Sequence, residues 1–287
     1  MPAAGGYLTI DALAEPVSIM SDMLFFAHAN GFPSDTYRTV LEHLGERYAL
    51  ACLPQHGHDP RFPVTDGWGA LVDELLEQVA VQGRAVWGVG HSLGGLLHFL
   101  AAQRRPELYR GVIMLDSPIL TPIERMAVRA GKRWGFIDAI TPAGRTQGRR
   151  ACFSDPDEAQ RYFAGKSLFR HFDSACLRDY IAHGLEPDGG QWRLRYDPAV
   201  ELAIYRSVPH DKPAPAKYFS RPLAVVRGAD SRVVRKHHQR YVRSVPKSEW
   251  HEVPGGHMFP FEHPAATARL IVSILARWQH AEAPLHG

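Results

Sequence analysis

The residues best placed to do chemistry are Gly90-His91-Ser92-Leu93-Gly94, a G-x-S-x-G stretch followed by Gly95. It comes directly after the apolar run AVWGVG and opens an apolar helical pattern from Leu93. A serine on a sharp strand-to-helix turn is held up on strained backbone, and small neighbours are needed so that strand and helix can approach closely. Gly90 and Gly94 meet that need. A serine hydroxyl attacks a carbonyl only if a base removes its proton. Sixteen histidines compete for that role. His257, in VPGGHMFPFEHP, lies in a glycine turn just after the last expected strand and before a terminal helix. In the chain order serine, acid, histidine it holds the last place. His91 is expected to point away from the turn, and His251 and His263 are expected to be structural.

Together, GVGHSLGG (88–95), HANGFP (28–33) and PGGHMFPFEHP (254–264) resemble the α/β-hydrolase superfamily, in the branch with a cap inserted after the sixth strand. The likeness covers nearly all of the chain outside that cap. It implies that HANGFP matches the HGFP-type segment after the third strand, where Asn30-Gly31 takes the place of His-Gly. The implied oxyanion-hole donors are then the backbone N–H of Leu93 and that of Phe32, with Asn30 as the alternative. Such donors stabilise the charge that develops on a carbonyl oxygen, and losing one costs about 10²- to 10³-fold in rate. One segment departs from the family: in LPQHGHDPRFP (53–63), Gln55 stands where many members have arginine. His56, His58 and Asp59 in that segment need not converge on one ion, so no metal is expected.

The base needs a carboxylate to orient it. VRGADSRVV (226–234) reads as a strand entering a loop, with Asp230 at its end. The family patterns G-x-x-D and G-x-x-S-D, laid on Gly228, put Ser231 or Arg232 at the acid position, so Asp230 is one or two residues early. In extended chain a one-residue shift turns a side chain to the other face. Some members carry the acid one strand earlier, and there the chain reads VIMLDSP, with Asp116 at the strand end. Asp116 is the first choice and Asp230 the alternative.

The elements that must position these residues follow from periodicity. Strands are expected at 23–29, 48–54, 85–90 and 111–116, and helices at about 35–47, 66–82 and 93–104. In the second helix Leu71, Leu75, Leu76 and Val79 share one face. Alternating strands and helices imply an α/β protein with a mostly parallel central sheet flanked by helices. The pattern stops at Pro118 and resumes with PLAVVRG at 222–228, then a helix at about 234–243, a strand at 248–253 and a helix after Pro264. An interval of that length needs structure of its own. The core is therefore expected at 1–117 and 222–287, with an inserted helical cap, or lid, at 118–221.

Between Pro118 and Arg221 stand 17 Lys or Arg against 12 Asp or Glu, including Arg125, Arg129, Lys132, Arg133, Arg145, Arg149 and Arg150. This charge suits either steering of an anionic substrate or, as the preferred reading, a solvated helix face. The whole chain balances 33 basic against 30 acidic residues, which gives no reason to expect nucleic acid or an anionic membrane as partner. Cys52, Cys152 and Cys176 show no zinc-ligand spacing and suit a reducing compartment. The first twenty residues lack the basic lead of a secretory signal, and no run reaches the length of a membrane span. A cytoplasmic protein acting on a small-molecule acyl substrate without a cofactor is expected, its oligomeric state open.

The combined expectation is a serine esterase of the EC 3.1.1 type, using Ser92, His257 and a carboxylate through an acyl-enzyme. Thioester, lactone, amide and ketone-flanked carbon–carbon bonds suit the same groups. Dehalogenation and epoxide opening are not expected, because family members doing them carry aspartate at the position of Ser92. A hydrolase-fold receptor or interaction protein with little turnover is the alternative of another class.

Overall fold

In the computed structural model, residues 22–211 and 219–282 are described. Strand β1 (Met23–Ala27) leads through a 3-10 turn into helix α1 (Arg38–Gly45), and β2 (Ala49–Cys52) follows. Then come α2 (Gly69–Ala80), β3 (Val86–His91), α3 (Leu93–Arg104) and β4 (Tyr109–Leu115). The insertion holds α4 (Pro122–Trp134), α5 (Ile137–Ile140), α6 (Ala143–Thr146), β5 (Cys152–Phe153), α7 (Pro156–Ala164), α8 (Ser174–Gly184), β6 (Leu185–Asp188), β7 (Gln191–Leu194) and α9 (Pro198–Arg206). The chain returns with β8 (Leu223–Gly228), α10 (Gln239–Val242), β9 (Ser248–Val253), α11 (Phe259–Glu262) and α12 (Pro264–Glu282).

Six strands form one parallel sheet in the order β2-β1-β3-β4-β8-β9. Alternate side chains along each strand face opposite ways, so the sheet has two cores. Leu24, Phe26, Trp87, Val89, Ile113 and Leu115 pack toward α1 and α12. Phe25, Ala27, Val86, Val112 and Met114 pack toward α2 and α3. Each such side chain contributes about 1.5–3 kcal/mol by leaving water, which is what presses the helices onto both faces. Strand order reverses between β1 and β3. Outside the carboxyl ends of strands at such a switch point lies the crevice in which α/β sheets bind ligands.

Three expectations need adjusting. The interval 118–221 is not wholly helical, because β5, β7 and β6 form an antiparallel sheet of three strands. Its hairpin turns at Gly189 and Gly190, both with positive φ, a backbone that glycine adopts without strain. The helix expected over 234–243 is two short pieces, a 3-10 turn (Lys236–His238) and α10. There Ser231 Oγ takes the N–H of Val233 and Val234, and the His238 ring takes that of Arg235, so side chains compete with the helical ladder. The helix expected from about 66 begins in earnest only at Gly69, since Gly67 and Trp68 both have positive φ.

Candidate active site

Ser92 joins β3 to α3 with φ 52° and ψ −112°, a region that L-residues enter rarely. The turn is pinned by the Ser92 N–H, which donates to Leu115 O at 2.9 Å. It is also crowded. A methyl group on Gly94 would overlap the carbonyl of Ala27, one on Gly90 would overlap the Gly94 backbone, and one on Gly95 would overlap Ser117 Oγ. The glycines therefore let α3 start directly against the end of β1. The first helical N–H groups, Leu93 foremost, have no partner inside the helix and point out of its positive end beside Ser92.

β4 lies beside β3 with Leu115 opposite His91, so Asp116 emerges next to the serine turn. Asp116 is fully buried with φ 44°, and its own N–H donates to Val226 O at 2.7 Å. Its Oδ1 accepts the Gly228 N–H at 3.0 Å. Its Oδ2 accepts both the Ser231 hydroxyl at 2.5 Å and His257 Nδ1–H at 2.7 Å. The His257 side chain keeps 24% of its surface accessible while Asp116 keeps none, so one edge of the imidazole is held and the other is open. The structure brings Ser92, Asp116 and His257 to the ends of neighbouring elements. Asp230 is apart: it is exposed, and its backbone N–H goes to Gly255 O at 3.0 Å.

The turn after β1 stands on the other side of Ser92. Gly31 has φ 82°, and the Phe32 N–H donates to Ala29 O at 3.1 Å. The Asn30 amide donates to Glu201 O at 2.9 Å, while its Oδ1 is buried without a hydrogen-bond partner. Phe32 and Asn30 are thus both engaged within the turn or with the insertion. Behind the turn, Arg149 pairs with Glu201 at 2.5 Å and donates to the Tyr180 hydroxyl at 2.7 Å. The Glu201 carboxylate sits so close to Gly31 that a methyl group there would meet Oε1 at 2.8 Å. The Phe32 ring packs against Phe169, Phe172, Tyr180 and Phe261.

Two residues that sequence reading assigned no positioning role join these parts. The Tyr37 hydroxyl accepts the Ala29 N–H at 3.1 Å and donates to His91 Nδ1 at 2.7 Å, and His91 Nε2–H donates to the carbonyl of His257 at 2.9 Å. Burial, reinforced by the neighbouring His257, holds the His91 imidazole neutral, well below its ordinary pKa. The His91 ring lies 5.0 Å from that of His257 and ties the histidine loop to the turn after β1. Tyr37 lies in a 3-10 turn (Ser34–Tyr37), and nothing in its local sequence signals a partner 54 residues on. Ser231, whose hydroxyl donates to Asp116, also touches the site, and its place in the family pattern was the available signal.

The donor sets for a metal are poor. The His58 ring is spent on His56 O and the Asp197 N–H, and Asp59 is paired with Arg61. Glu124, His237 and His238 bring ligand atoms within 4.8 Å of one another. However, His238 Nδ1 accepts the Arg235 N–H, so Nε2 carries the proton and donates to Glu124 instead of offering a lone pair. Burial raises the Glu124 pKa, but the Thr121 N–H and His238 outweigh it and take it down to about 2. These contacts tie the start of α4 to the loop after β8.

Comparison with known proteins decides the family. A model described as alpha/beta hydrolase family matches residues 24–270. The chain belongs to the alpha/beta hydrolase family. Among curated members it is 27% identical over 217 residues to a 2-(acetamidomethylene)succinate hydrolase of Mesorhizobium japonicum, covering 74% of this chain and 72% of that one. An esterase of Mycobacterium tuberculosis is 27% identical over 267 residues, covering 88% and 82%. A crystal structure of E-2-(acetamidomethylene)succinate hydrolase superposes with TM-score 0.70 at 23% identity, over 89% of this chain and 91% of that one. This alpha/beta hydrolase has no helix among its described residues long and apolar enough to cross a membrane.

Proposed function

We propose that the protein is a serine hydrolase that cleaves a carboxylic ester of a small molecule through an acyl-enzyme. The observation that carries this reading is the 2.7 Å bond from His257 Nδ1 to a fully buried Asp116, set beside a strained Ser92. With Nδ1–H fixed on Asp116, the Nε2 lone pair of His257 faces the open side and takes the Ser92 proton as Oγ attacks. The buried carboxylate stabilises the imidazolium that results. His257 then gives that proton to the leaving alkoxide oxygen as its bond to the carbonyl carbon breaks, the alcohol departs, and water repeats the sequence on the acyl-enzyme. The oxyanion is received by the Leu93 N–H at the positive end of α3. A second donor from the turn after β1 would be Phe32, whose N–H is then shared with Ala29 O as a three-centre bond.

The curated relatives named as an esterase, a lipase and a hydrolase of a substituted succinate support acyl chemistry and leave the acyl group open. Many of the insertion's cations are paired, among them Arg149 with Glu201, Arg150 with Glu158, Arg206 with Asp138 and Lys132 with Asp66, which favours a structural over a steering role. Hydrolysis of p-nitrophenyl esters of graded chain length tests the proposal. The expected outcome is turnover of a short or medium ester with a pre-steady-state burst, lost in Ser92→Ala. Turnover that Ser92→Ala leaves intact would refute it.

A further inference from the structure

We propose that Ser231 is a positioning residue for Asp116, its hydroxyl holding the carboxylate in place against His257. The inference rests on the serine-hydrolase reading above and concerns how its acid is held. One oxygen, Asp116 Oδ2, accepts from Ser231 Oγ at 2.5 Å and from His257 Nδ1 at 2.7 Å. The Ser231 hydroxyl therefore lies within about 5 Å of the imidazole nitrogen that needs an acid. Its role as donor is fixed by its surroundings. Ser231 is buried, and its Oγ accepts the N–H groups of Val233 at 3.1 Å and Val234 at 3.4 Å, which directs the hydroxyl hydrogen toward Asp116.

The loop is also rigidly located. The buried Arg227 guanidinium reaches the carbonyls of Ala229, Ser231 and Val234 and pairs with Glu252 on β9. The N–H groups of Ala229 and Asp230 donate to Val253 O and Gly255 O, strapping the loop to the segment that carries His257. In this frame the side chain at 231 faces Asp116, while that at 230 faces solvent. Ser231 thus supplies a donor to a carboxylate housed on the neighbouring strand.

The test uses kcat and KM for p-nitrophenyl acetate together with the rate of Ser92 labelling by a fluorophosphonate. Ser231→Ala should lower kcat about 10-fold with KM within about 2-fold, because the carboxylate loses one of the three donors that fix its orientation toward the imidazole. Ser231→Thr, which keeps the hydroxyl, should retain most of the rate. A Ser231→Ala rate equal to wild type, or a folded Ser231→Thr variant that loses as much rate as Ser231→Ala, overturns the positioning role. Failure of Asp116→Asn to slow labelling would instead sink the underlying reading, which keeps the two failures distinct.

Discussion

Ser92 is held in a backbone region that costs an L-residue of order 1–3 kcal/mol, and the surrounding glycines make that strain tolerable by letting helix, strand and turn meet. Gly94→Ala should therefore lower stability by about 3 kcal/mol in urea unfolding, since its methyl would overlap the carbonyl of Ala27. At the acid, Asp116→Asn should lower kcat by about 10³- to 10⁴-fold with the fold intact, and Asp230→Asn should change it less than about 2-fold. A large loss in Asp230→Asn alone would reverse the assignment. Ser92 and His257 stood out as candidates in the sequence, the first by its local glycine spacing and the second by its place in the chain order. The choice between Asp116 and Asp230 was not local, because it depends on which residue of a loop faces a histidine contributed by another strand. Tyr37 and His91 bond to partners 54 and 166 residues away, and no spacing rule reaches that far.

The parallel strands and their flanking helices were legible to within a few residues, since burial on both faces gives short apolar runs and burial on one gives a helical stripe. The insertion was less so. β5, β6 and β7 are two to four residues long and carry Pro187, too brief for periodicity to register, although the Asp188-Gly189-Gly190 turn was a usable hairpin sign. What holds α9 to the segment after α6, behind the turn after β1, is a largely buried ion pair: the Arg149 side chain is 17% exposed and that of Glu201 is 7%. Removing one partner leaves the other uncompensated. Arg149→Met should cost about 3 kcal/mol in urea unfolding, and Arg149→Met with Glu201→Leu should recover most of it. It should also slow ester turnover more than either Arg129→Met or Arg133→Met, because Glu201 touches the Asn30–Gly31 turn.

For the molecule as a whole, stability should depend on a buried carboxyl that is no part of the proposed triad. Burial raises the Glu74 pKa from 4.5 to about 7, despite the Gly57 N–H that it accepts, and the neutral ring of His56 offers it no compensating charge. A raised folded-state pKa means that the unfolded chain ionises first. The stability is fully present below about pH 4.5 and is lost as pH rises through about 7, by about 3 kcal/mol from this group. Glu74→Gln should flatten that slope and be the more stable form at pH 8, as measured by urea unfolding across the window. The central claim, that Ser92 is a nucleophile activated by His257 on Asp116, is tested most directly by fluorophosphonate labelling of the folded protein, with the adduct located by peptide mass spectrometry. The expected result is a single adduct on Ser92, lost in Ser92→Ala and slowed at least about 100-fold in His257→Ala. Folded protein that stays unlabelled at Ser92 would contradict it.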